Sequence, residues 1–103
     1  MILKFYKKLY LDEEITNESE IIEKIKDEII IFNLYLICIS KENNNIFEIF
    51  SLKESFKSRY KEKEYIVVGM TYGKNKAFLI VKDIFQDNIK NINYIKQKFI
   101  KNK

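Results

Sequence analysis

Residues 65–89 read YIVVGMTYGKNKAFLIVKDIFQDNI, and this stretch decides the fold. Residues 65–72 are apolar on both faces, with Tyr65 and Val67 alternating with Ile66, Val68 and Met70. Such a run belongs inside a covered sheet. Gly73 supplies a tight turn, and an amphipathic helix follows from Lys74. Its apolar stripe is expected to run through Ala77, Phe78, Val81, Ile84, Phe85 and Ile89, leaving Lys76, Lys82, Asp83 and Gln86 for water. Gly69, inside the strand, lets a helix come close to the sheet.

The rest of the chain is placed against this strand and helix. Residues 2–11 alternate: Leu3, Phe5, Leu9 and Leu11 point one way, while Lys4, Tyr6, Lys8 and Tyr10 point the other. Asn17 with Glu20 resembles a capping box, opening a helix with Ile21, Ile22, Ile25 and Ile29 on one side. That helix is expected to end near Ile30 or Ile31, where β-branched residues crowd. Residues 34–40, LYLICIS, form a second two-faced strand. Asn43 to Asn45 make a turn, and residues 46–50 return as the other arm of a hairpin. Ser51 and Glu54 are the clearest cap in the chain, opening a short helix with Leu52, Phe56 and Tyr60 on one side. The lysine-rich segment 91–103 contains no acid and is expected to dock through Ile92, Tyr94, Ile95, Phe99 and Ile100. The order is β-α-β-β-α-β-α: an α/β (α+β) two-layer sandwich on a mixed sheet of four strands, in one domain spanning 1–103.

Composition narrows the function. At 103 residues, 47% apolar and 33% charged, the chain has enough material for one modest core. Charge is divided: residues 1–50 carry net −4 and residues 51–103 net +8. Such a molecule can pair with itself or turn its basic half to an acidic partner. A lone cysteine, Cys38, excludes an internal disulfide and fits a reducing cytoplasm. The start lacks the apolar core of a signal peptide, and the longest apolar run is short of the about 20 residues a membrane helix needs. A cytoplasmic protein with no membrane association is expected.

Several pieces occur together: Tyr6-x-x-Leu9-Tyr10, LYLICIS at 34–40, Asn45-x-x-Glu48-Ile49, and YIVVGMTYG followed by Ala77. In these the chain resembles a family of small proteins of about this length from clostridia and related Gram-positive anaerobes, to which no activity is assigned. Thr71 and Asn75-Lys76 depart from the V-G-I-A-x-G-Y-x-E-A type of sequence that this family favours. The resemblance implies one compact domain and transfers no catalytic or binding residue.

Catalytic chemistry is poorly supplied. No histidine is present, which removes the commonest general base and metal ligand. Cys38 lies mid-strand between isoleucines, where a thiol is inert. Residues 69–74 fall short of a P-loop by spacing, and Asn75 stands where the magnesium-binding hydroxyl would be. Asp12, Glu13 and Glu14 offer oxygens to a cation, but adjacent turn carboxylates are ordinarily just solvated. No enzyme, cofactor or metal centre is expected.

Two binding readings remain. A non-enzymatic protein-interaction domain, self-associating or with another protein, would use Tyr6, Tyr10, Tyr35 and Tyr94. The alternative is single-stranded nucleic acid: Tyr6 and Tyr10 would stack bases, and Lys4, Lys8, Lys57, Arg59 and Lys61 would meet phosphates.

Overall fold

A computed structural model describes residues 1–40, 47–57 and 62–87. The order along the chain is β1 (Ile2–Leu11), α1 (Glu18–Lys26), β2 (Leu34–Ile39), β3 (Glu48–Ser51), α2 (Leu52–Ser55), β4 (Glu64–Tyr72) and α3 (Lys74–Asp87). This is the expected α+β order on a mixed four-stranded sheet. The strands lie side by side as β1-β4-β2-β3. β1 runs parallel to β4, whereas β2 is antiparallel to both β4 and β3. β4 and β2 are therefore central, as their two-faced apolar runs require.

The helices divide between the two faces of the sheet, so a second helical layer is added to the expected two. Ile21 and Ile25 of α1 and Leu52 of α2 pack on Leu36, Cys38, Tyr65, Val67 and Met70. Ala77, Ile80 and Ile84 of α3 pack on Ile37, Ile39, Ile66 and Val68 on the opposite face. Burying each isoleucine, leucine, valine or methionine among them contributes about 1.5–3 kcal/mol.

An irregularity in β4 changes the simple alternation. Ile37 pairs with Gly69 and the next residue, Cys38, pairs with Val67, so Val68 is the extra residue of a bulge. Met70 consequently joins the face of Tyr65 and Val67, not that of Ile66 and Val68 as alternation predicts. Gly69 turns towards α3. A Cβ there would stand 2.9 Å from the Tyr10 carbonyl oxygen and 3.1 Å from Ile80 Cγ2. The close approach expected of this glycine is real, and it also sets the helix phase. Ile80 faces the sheet, while Phe78 of the expected stripe is turned to solvent. Ile89 lies outside the described residues.

β1 divides its side chains as its pattern predicts. Leu3, Phe5, Leu9 and Leu11 meet the α1 side, although Leu9 touches both cores, and Tyr6 and Tyr10 meet the α3 side. Between Phe5 and Tyr10 it spends five residues where β4 advances only from Val67 to Gly69. β1 is an edge strand. Exposed Lys4, Lys7 and Lys8 discourage further strands from adding to it.

The two caps behave differently. Ser51 Oγ accepts from the Glu54 backbone N–H at 3.1 Å, forming the expected cap of α2. Asn17 does not cap α1: its side-chain amide donates to Glu20 Oε2 at 3.4 Å instead. The first turn of α1 relies on Glu18 and Glu20 beside the positive end of the helix, balanced by Lys24 and Lys26 at its other end. The expected turn at Asn43–Asn45 and the positions of Ile46 and Tyr60 fall outside the described residues.

Candidate interaction surface

The α1–β2 connection holds the largest departure from the sequence reading. The helix stops at Lys26, well before Ile30, because Glu28 takes a left-handed conformation with φ of 58°. The Ile29 N–H donates to the Lys24 carbonyl at 2.9 Å and the Glu28 N–H to the Ile25 carbonyl at 3.0 Å. These are the two hydrogen bonds of a Schellman motif, with a glutamate where glycine is usual. Asn33 is left-handed as well, at φ 61°, and its carbonyl accepts from the Gly73 N–H at 2.9 Å. The loop is therefore anchored at both ends, to α1 and to the β4–α3 turn.

This anchoring turns apolar side chains outward. Ile29 is 48% exposed, Ile30 55% and Phe32 90%. Single exposed hydrophobics are normal, but three within four residues on a hydrogen-bonded loop form a local apolar knob. Its charged neighbours are balanced, with Lys24 and Lys26 beside Asp27 and Glu28.

The residues singled out in the sequence are distributed otherwise. Tyr6, 8% exposed, belongs to the core beneath α3 with Ile66, Val68 and Ile84. Tyr10 is half-buried on that same side, and its hydroxyl donates to Asp87 Oδ2 at 2.8 Å. Tyr35 is half-buried and packs on that core too. Lys4 pairs with Glu64 at 3.4 Å, whereas Lys8 and Lys57 are exposed. Arg59, Lys61 and Tyr94 lie outside the described residues. The Lys–Tyr face of β1 thus supplies lysines to solvent but keeps the Tyr6 ring in the core.

The β4–α3 turn is already satisfied by the protein itself. Gly73, at φ +88°, donates to Asn33, Thr71 Oγ1 donates to the Gly73 carbonyl at 3.0 Å, and the Tyr72 N–H is taken by Asp12 Oδ2 at 3.2 Å. A buried carboxylate beside this turn disfavours an incoming phosphate. Lys76 reaches Asp12 Oδ2 at 3.3 Å and Glu14 Oε1 at 3.0 Å, so an ammonium already sits where a cation would bind. Among the described residues no cluster of three histidine, cysteine or acidic side chains could hold a metal. Burial, and to a lesser degree the Glu48 carboxylate, raises the Cys38 thiol far above its ordinary range. No described helix is long and apolar enough to cross a membrane.

The chain matches no family model, no curated protein and no solved structure.

The knob was hidden in the sequence because IIIF at 29–32 continues the helical spacing of Ile21, Ile22 and Ile25. The only local signal against a helix is the run of β-branched isoleucines, and it does not say where the helix stops.

Proposed function

We propose that the protein is a non-enzymatic interaction domain that pairs with a second copy of itself through the 29–32 loop. The observation that carries this reading is Phe32, 90% exposed on a loop tied at both ends. An aromatic anchor presented by a pre-ordered loop loses little conformational entropy on docking. Two copies related by a two-fold axis would each bury Phe32 against the partner's Ile29 and Ile30. The balanced charges flanking the loop allow that approach despite the net charge of +4. Sedimentation of the wild type against Phe32→Ser tests the reading. Phe32 touches little of its own chain, so this substitution removes the anchor and leaves the fold intact.

A further inference from the structure

A groove separate from the loop opens between β1, the C-terminal part of α1 and the residues following α2. Its volume is about 450 Å³. That lies within the range of about 300–1,000 Å³ typical of small-molecule sites. Its floor is apolar: Leu3 and Phe5 from β1, Ile25 from α1, and Met1 and Phe56 beside them. The charged members of its lining, Lys26, Lys57 and Glu28, are all exposed at the rim. Among the described residues neither lysine has an ion-pair partner.

This division of chemistry selects the ligand. A sugar or nucleobase would bury polar groups against a floor whose aliphatic and aromatic side chains offer no hydrogen bonds in return. A hydrocarbon chain fits that floor, and a charged end must then stay at the rim. Two lysines against one glutamate make an anionic end the better match. We propose that the groove binds a single-chain amphiphile with an anionic head, of the class of a medium-chain carboxylate. Leu3, Phe5, Ile25 and Phe56 hold the chain, while Lys26 and Lys57 hold the head.

The test uses the full chain, nitrogen-15 labelled, titrated with hexanoate, octanoate and decanoate below micelle-forming concentrations, and with 1-octanol. Amide shifts are expected around Leu3, Phe5, Ile25 and Phe56. Affinity should tighten about three- to fourfold per added methylene until the groove is full. Octanol should bind about fivefold or more weaker than octanoate, as should octanoate to the exposed-site double variant Lys26→Glu/Lys57→Glu. Glu28→Gln should tighten octanoate, and Phe32→Ser should leave it unchanged, separating this site from the loop. Absence of binding, affinity independent of chain length, equal binding of octanol and octanoate, or shifts centred elsewhere would each overturn the proposal. A groove that refuses these chains yet takes an apolar peptide would belong to a protein partner instead.

Discussion

Asp12 at the end of β1 and Lys76 in the first turn of α3 form an ion pair at 3.3 Å, and the Asp12 side chain is only 3% exposed. The same carboxylate accepts from the Glu14 N–H at 3.1 Å and the Tyr72 N–H at 3.2 Å. It thereby ties the end of β1 to the end of β4 and the start of α3, which lie 60 and 64 residues further along the chain.

Burial alone would raise the Asp12 carboxyl, but the two backbone N–H groups and the Lys76 ammonium outweigh it and hold the group below its ordinary range. A carboxyl lowered in the folded state stabilises fully above its unfolded value of about 3.9, and that contribution is lost as pH falls through the folded value. Asp12→Asn should therefore lower stability by about 1–3 kcal/mol at neutral pH. Urea unfolding of both proteins should show the gap narrowing below about pH 4. A gap independent of pH would show that the charge is immaterial. Lys76→Met should cost less than Asp12→Asn, because both N–H bonds to the carboxylate survive it.

Gly69→Ala would place a methyl group against the Tyr10 carbonyl oxygen, a backbone atom that cannot swing aside, and against Ile80 Cγ2. Overpacking of this kind costs about 1–3 kcal/mol. The unfolding midpoint in urea should fall with an unchanged slope. A midpoint equal to the wild type would mean that both the Tyr10 carbonyl and α3 stand farther from Gly69.

The left-handed residues make opposite predictions. Glu28→Gly removes a side chain from a conformation that costs an L-residue about 1–2 kcal/mol, partly offset by the extra freedom of glycine in the unfolded chain. Its melting temperature should stay level or rise. Gly73→Ala imposes the same kind of strain at φ +88° and should lower it. A fall with Glu28→Gly would show that the glutamate side chain has a favourable role of its own.

Tyr6 and Tyr10 should also part ways. Tyr6→Glu buries an unpaired charge beneath α3 and should abolish the cooperative transition in thermal unfolding. Tyr10→Phe removes the exposed hydroxyl contact to Asp87 and should shift the melting temperature slightly. Similar effects of the two would contradict their different burial.

Local chemistry made much of this architecture legible. The two-faced runs around Val67 and Leu36 marked the central strands, Ser51 marked a helix start, and Gly69 and Gly73 marked a close approach and a turn. What stayed hidden depends on distant or competing contacts. The bulge at Val68 that moves Met70 to the other core exists only when β4 pairs with β2. The Asp12–Lys76 pair joins residues that sequence spacing cannot relate, which is why Asp12 read as one of three solvated acids. Glu28 ends α1 without the glycine that usually announces such a stop, so Ile29, Ile30 and Phe32 read as helix and not as surface. The parallel pairing of β1 with β4 had no local signal of its own.

Sedimentation equilibrium over a concentration series, with wild type and Phe32→Ser side by side, tests the self-association account most directly. A wild-type dimer whose dissociation constant rises at least about tenfold in Phe32→Ser is the predicted result. Ile30→Asp should weaken it as well, and Lys8→Glu should not. A wild type that stays monomeric across the series, or a dimer indifferent to Phe32, would contradict the account.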